Sequence, residues 1–173
     1  DTAISDTATL RVSVNGKDYT PVINGNQWTL ELPATTLAYQ EGRLNIQADA
    51  SVADQYGNTA KHQASGSYEV DTVAPAPVIE LNDIAIDNII DSIEQNSPVV
   101  ISGKVSGDYQ AGDKVVLTVN GAKEDVAIGA GGIFSTTVAG SVLAAAAVPV
   151  VQAAITTADA AGNSASAQTS REY

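Results

Sequence analysis

An all-β protein made of two tandem β-sandwiches is predicted by three features of this 173-residue sequence. The chain repeats itself at an interval of 105–106 residues, its apolar residues fall in short β-branched or alternating runs, and Asn-Gly pairs separate those runs.

The repeat sets the domain count. VSVNGKDYTPVI at residues 12–23 aligns with LTVNGAKEDVAI at residues 117–128, which pairs Asn15-Gly16 with Asn120-Gly121 at a shift of 105. NQWTLELPATTLA, beginning at Asn26, aligns with GGIFSTTVAGSVLA, beginning at Gly131, so Trp28 matches Phe134 and Leu37 matches Leu143 at a shift of 106. ADQYGN at residues 53–58 matches ADAAGN at 158–163, and Tyr68 matches Tyr173. The period is about the length of one immunoglobulin-like domain, which makes the chain a tandem array. The second copy carries a long opening, PVIELNDIAIDNIIDSIEQNSPVVISGKVSGDYQAGD, before its VNG segment, and the first carries only DTAISDTATLRVS. The first repeat is therefore expected to lack its opening strands, roughly thirty residues. The second stops at Tyr173, before a counterpart of Asp71. Expected boundaries are 1–72 for the shortened repeat, 73–77 for a proline-containing linker and 78–173 for the second repeat.

Along the chain the elements read as strands. Asn15-Gly16 and Asn120-Gly121 sit between strand patterns, where a type I′ turn needs positive φ at both central residues. Thr29-Leu30-Glu31-Leu32 and Leu44-Asn45-Ile46-Gln47-Ala48 alternate as half-buried strands do. Asp71-Thr72 followed by Pro75 and Pro77 reads as an extended, stiff linker. Val99-Val100-Ile101 with Lys104-Val105, and then the run from Lys114 to Val119, are β-branched and bounded by Gly, Asp and Asn. Ala144 to Ala147 makes a short helical turn at most, because the matching Ala38-Tyr39-Gln40-Glu41 precedes Gly42 and reads as a turn. Trp28 and Phe134, sharing one repeat position, are expected to fill the core rather than stack on sugars. His62, Lys104, Asp113 and Glu124 read as ordinary surface strand or turn residues.

Composition narrows the function classes. The chain has 20 acidic and 8 basic residues, a net charge of −12, with 44% apolar residues and 16% charged. That is a globular composition whose field repels phosphate backbones and anionic membranes, so neither nucleic-acid binding nor membrane insertion is expected. The absence of cysteine excludes disulfide scaffolds, thiolate zinc sites and cysteine nucleophiles. One histidine in a doubled architecture argues against an enzyme, which needs converging nucleophile, base and oxyanion groups. The first residues have no signal-peptide pattern and no apolar run reaches the roughly 20 residues of a membrane helix. An export signal is expected elsewhere, or the sequence is part of something longer.

The candidate site chemistry is that of a hard cation. No Lys or Arg lies between Val73 and Gly103, yet Asp83, Asp87, Asp91 and Glu94 fall within twelve residues. Such carboxylates repel one another unless screened, their spacing lets several converge on one loop, and oxygen-only ligands suit calcium. The EF-hand pattern is absent, so a site would be assembled from separate loops; the bland alternative is a solvated acidic surface. Asp54 and Asp159 share the motif Ala-Asp-x-x-Gly-Asn, which serves turn chemistry and also suggests a loop at a domain pole. Asp54 is there expected to face the linker at Asp71 and the next repeat.

Taken together, Val70-Asp71-Thr72-Val73-Ala74-Pro75, Asp87-Asn88-Ile89-Ile90-Asp91 with Glu94, the run from Val100 to Gly107, Ala111-Gly112-Asp113, Leu117-Thr118-Val119-Asn120-Gly121 and Ala158-Asp159-Ala160-Ala161-Gly162-Asn163 resemble the bacterial Ig-like repeats. These form the extender regions of giant RTX-type, type I-secreted surface adhesins of Gram-negative bacteria. The resemblance covers all of the second repeat and the remaining part of the first. It implies sandwiches strung end to end, calcium at or near the junctions, and a rod that projects terminal binding domains from the cell surface. Its implied partners are neighbouring repeats and calcium, with a host, surface or biofilm partner engaged through other domains. The competing class is a ligand-binding adhesin head for a carbohydrate or another surface; heads carry unique loops, whereas residues here find counterparts one repeat away.

Overall fold

The computed structural model describes residues 8–38 and 40–173, and the chain divides into two units, Asp1–Thr72 and Val73–Tyr173. Of the expected turn at residues 38–41, Tyr39 lies outside the described residues.

In unit 1, strand β1 (Thr9–Val14) turns through Asn15-Gly16 into β2 (Lys17–Tyr19). Asn15 and Gly16 have φ of 52° and 77°, the paired positive values of a type I′ hairpin. There follow β3 (Val22–Asn24), β4 (Gln27–Thr29), the single turn α1 (Ala34–Leu37), and two long strands, β5 (Gly42–Ala53) and β6 (Thr59–Val70). Strands β2, β1, β5 and β6 form one antiparallel sheet in that order, and β3 and β4 form a separate hairpin.

Unit 2 opens with β7 (Pro77–Leu81) and, after a loop containing a 3-10 turn at Glu94–Asn96, β8 (Pro98–Gly107). It continues through β9 (Lys114–Val119), β10 (Ala122–Ala127), β11 (Ile133–Ala139), α2 (Gly140–Ala144), β12 (Val150–Ala158) and β13 (Ser164–Glu172). One sheet has the order β10-β9-β12-β13, matching β2-β1-β5-β6 of unit 1 strand for strand; the other has the order β11-β8-β7. The inward residues of the two sheets, joined by Leu143 of α2, make one core that includes Ile79, Ile101, Leu117, Phe134, Val151 and Ile155. Burying such a side chain contributes about 1.5–3 kcal/mol. Alternation explains the burial: along β9, Val115, Leu117 and Val119 are buried while Lys114 is exposed. The two sheets stacked on a shared core are the immunoglobulin-like sandwich that the repeat length predicts.

The repeat is visible in side-chain bonding too. Tyr68 donates its hydroxyl hydrogen to the Leu37 carbonyl at 2.8 Å, and Tyr173 does the same to Leu143 at 3.2 Å. Both matched pairs thus tie the last strand to the short helical turn.

Two sequence expectations fail in unit 1. Trp28 is 43% exposed, whereas Phe134 at the same repeat position is 1% exposed, so only Phe134 fills a core. Residues 30–32 lie outside any strand, although the alternating pattern predicts one there. Both have one cause: in unit 2 Phe134 and its strand are covered and paired by β8, and among the described residues unit 1 has no counterpart of β7 or β8.

Candidate functional site

The carboxylates singled out by the sequence occupy three kinds of place. Asp54 and Asp159 sit in the matching turns between β5 and β6 and between β12 and β13. Asp54 Oδ1 accepts the backbone N–H groups of Tyr56 and Asn58 at 2.8 and 2.9 Å, and Oδ2 accepts the Asn58 side-chain amide at 2.8 Å. Asp159 repeats this arrangement with Ala161, Asn163 and the Asn163 amide at 2.9, 2.9 and 3.0 Å. The glycines of both turns, Gly57 and Gly162, take φ of 85° and 94°, which explains the Gly in the motif. In both aspartates the Asn side-chain amide is the main influence holding the carboxyl below the ordinary aspartate range, with the backbone N–H groups adding to it against some desolvation.

Asp71 follows β6 directly. Its neighbour Thr72 is tied to unit 1 through Glu41, whose carboxylate accepts the Thr72 N–H at 3.1 Å and also its hydroxyl. On the other side, the Ala76 N–H donates to Asp108 Oδ2 at 3.1 Å, and the Asp108 N–H donates to the Ala76 carbonyl. Thr72, the last residue of unit 1, is thus held by a carboxylate of that unit, and Ala76 by a carboxylate of unit 2. Glu41 and Asp108 carry no signal in the sequence, because a single carboxylate at a turn is indistinguishable from a solvated one.

The third place is the loop between β7 and β8. Here Asp91 and Glu94 form a capping box: Asp91 Oδ1 accepts the N–H groups of Ile93 and Glu94 at 2.7 and 2.8 Å, while Glu94 Oε2 accepts the Asp91 N–H at 3.2 Å. Asp87 Oδ1 accepts the Ile89 N–H, and Asp83 Oδ1 accepts the Asn88 amide. Asp83 also pairs with Arg171 Nη1 at 3.4 Å, and Arg171 Nη2 donates to the Leu81 carbonyl at 2.7 Å. This basic partner arrives from β13, 90 residues beyond Leu81, so a scan of the local sequence cannot find it.

Not all of these residues come together. Asp54 precedes β6 and Asp71 follows it, so a strand of 12 residues separates them. The expectation that Asp54 faces the linker at Asp71 is corrected: the repeat motif marks the opposite end of the sheet. Asp159 is likewise at the far end of β13 from Arg171 and hence from Asp83. Asp83, Asp87, Asp91 and Glu94 share a loop, but among the described residues no three His, Asp or Glu side chains gather into a group able to hold a metal ion. The donor chemistry suits calcium, but neither unit by itself assembles a ligand shell among the described residues.

The fold defines the class: a tandem array of immunoglobulin-like β-sandwich sequence. No protein-family model and no curated protein matches it. Solved structures do. A Ca2+-stabilized adhesin that helps an Antarctic bacterium reach out and bind ice is 31% identical over 98% of this chain, with a TM-score of 0.70. A 1.5-MDa bacterial ice-binding adhesin, examined for its retention at the host cell surface, is 31% identical over 96% of this chain, with a TM-score of 0.72. This chain spans 40% and 52% of the lengths of those two structures. A bacterial immunoglobulin-like domain of the M. primoryensis ice-binding adhesin is 36% identical over 58% of this chain, which covers 97% of that domain with a TM-score of 0.52. The chain belongs to this family of bacterial immunoglobulin-like domains.

Proposed function

We propose that this chain is an extender segment of a large bacterial surface adhesin, secreted by the type I route of a Gram-negative cell and carried on its surface. Its task is mechanical: folded repeats in series hold a terminal binding domain away from the cell, and that domain engages ice, a host or another surface. The observation that carries this reading is the 31% identity over 98% of the chain to a calcium-stabilized adhesin, together with the internal repeat. The role needs no reaction chemistry, and we infer that the segment is not an enzyme.

Calcium stiffening belongs to the same proposal. Asp71 at the end of unit 1, and Asp83, Asp87, Asp91 and Glu94 on the β7–β8 loop, supply hard oxygen donors, and a shell of six to eight such donors is completed by oxygens from adjoining repeats. Asp54 and Asp159, with their oxygens committed to Asx turns, are the weaker candidates. Missing opening strands in the first repeat and a linker at 73–77 remain part of the proposed domain plan.

Calorimetry tests the calcium reading. Chelation lowers the melting temperature of the chain, calcium restores it, and magnesium restores it poorly because its octahedral shell is tighter. A melting profile indifferent to calcium overturns it.

A further inference from the structure

The same dipeptide closes two equivalent hairpins in different surroundings. Asn15-Gly16 joins β1 to β2 and Asn120-Gly121 joins β9 to β10, each with positive φ at both central residues. In unit 1 the Asn15 side-chain amide donates to the Tyr68 hydroxyl, which is itself tied to the Leu37 carbonyl, and the Asn15 side-chain oxygen is shut off from solvent. In unit 2 Tyr173 keeps the matching bond to Leu143. The Asn120 side chain, however, has no hydrogen-bond partner among the described residues, and both Asn120 and Gly121 are exposed. One asparagine is thus held and half-buried, and its repeat counterpart is free in solvent.

We propose that Asn120-Gly121 is a site of spontaneous deamidation, and that Asn15-Gly16, the same motif, is protected from it by Tyr68. The reaction needs no catalyst. The Gly121 main-chain nitrogen forms a bond to Asn120 Cγ and gives up its proton, while the side-chain nitrogen leaves as ammonia. Water then opens the resulting succinimide at either carbonyl, giving aspartate or, with the main chain rerouted through Cβ and Cγ, isoaspartate. Glycine permits the approach because it carries no Cβ. Asn120 makes it whenever the turn relaxes, since nothing holds its side chain. Asn15 must first break the bond between its departing nitrogen and the Tyr68 hydroxyl, leaving half-buried polar groups unpaired. Ladder length acts in the opposite sense, because β1 and β2 share three residue pairs and β9 and β10 share six. The relaxation that matters is local to the closing pair, Val14 with Lys17 or Val119 with Ala122, which both hairpins possess, so the side-chain hold decides. As isoaspartate, position 120 carries a new charge and an extra main-chain carbon beside the Val119–Ala122 pair, which marks the age of the folded chain.

The chain is incubated at mildly alkaline pH, folded and in denaturant, and samples taken over weeks are digested rapidly with trypsin in weakly acidic buffer and analysed by mass spectrometry. Cleavage after Arg11, Lys17, Lys114 and Lys123 places the two sites in separate peptides, 12–17 and 115–123. In denaturant both sites convert at similar rates. In the folded chain Asn120 converts about fivefold or more faster than Asn15, the factor that one net hydrogen bond supplies. Tyr68→Phe, which removes only the hydroxyl, raises the Asn15 rate toward that of Asn120 and leaves Asn120 unchanged. Because this variant also loses the bond to Leu37 and could loosen unit 1, Tyr173→Phe serves as its match: it removes the equivalent bond to Leu143 with no asparagine attached, and leaves both rates as they are. Equal rates at the two sites of the folded chain, faster conversion at Asn15, or an Asn120 that stays intact while the denatured chain converts overturns the proposal. A Tyr173→Phe chain that speeds Asn120 as much as Tyr68→Phe speeds Asn15 overturns it too, and assigns the protection to the tie between the last strand and the helical turn.

Discussion

Asp54 and Asp71 stand at opposite ends of β6, which at about 3.3 Å per residue separates them by roughly 36 Å. They cannot ligate one ion within unit 1, and their substitutions should have different consequences. Asp54→Ala removes a turn cap and lowers the melting temperature equally in calcium and in chelator. Asp71→Ala reduces the rise in melting temperature that calcium produces. Calorimetry of both variants in both conditions distinguishes them; loss of the calcium response in Asp54→Ala would contradict the placement.

The linker tethers make a separate prediction. Asp108→Ala frees the Ala76 N–H and Glu41→Ala frees that of Thr72. A charge-assisted hydrogen bond of about 1.5 kcal/mol corresponds to roughly tenfold faster amide exchange at these two sites, and solvent screening makes that an upper figure. Exchange in the core strands, at Ile101 for example, should not change. Hydrogen exchange read by NMR checks both.

The paired Asx turns set an acid dependence. The carboxyl of Asp159 is held below its ordinary range, chiefly by the Asn163 amide, so the folded state binds its proton less readily than the unfolded chain does. Its stabilisation is complete above the unfolded value of about 3.9 and is lost as the pH falls through the lower folded value. Asp159→Asn should therefore flatten the acid side of the stability profile, and restoring the native residue should steepen it. Melting temperature measured between neutral pH and strong acid checks the sign.

Gly103 tests the sandwich itself. A methyl group there meets both the Phe134 ring and the Glu80 backbone. The backbone cannot move away without disturbing the β7–β8 ladder, so Gly103→Ala should destabilise unit 2 by about 2 kcal/mol or more while sparing unit 1. Denaturant unfolding monitored by Trp28 for unit 1 and by exchange at β12 for unit 2 separates the two.

The fold was legible where a physical signal is local or repeated. Asn15-Gly16 and Asn120-Gly121 demanded hairpins, the β-branched run at residues 114–119 matched a strand end to end, and the repeat paired Tyr68 with Tyr173 before their matching bonds to Leu37 and Leu143 were visible. Reading Trp28 from Phe134 failed, because a repeat transfers position and not neighbours, and the neighbour that buries Phe134 is β8. Charge patterning showed that the loop from Asp83 to Glu94 is acidic and unrelieved along the sequence. It could not show that Arg171 supplies a counter-charge from a distant strand, nor that Asp91 and Glu94 cap each other's backbone. The Asp54 motif was legible as a turn, but which end of the sheet it marks depends on counting strands between it and Asp71.

Small-angle X-ray scattering of the 173-residue chain, with calcium and with chelator, tests the extender account most directly. If calcium stiffens the junction, the maximum dimension is larger and the scattering that of a single extended particle with calcium. In chelator, and in Asp71→Ala with calcium, it shortens and broadens toward a distribution of interdomain angles while each unit keeps its β circular dichroism. An envelope equally extended in calcium and in chelator, unchanged by Asp71→Ala, would contradict the account and leave proline and the Glu41 and Asp108 tethers to set the geometry alone.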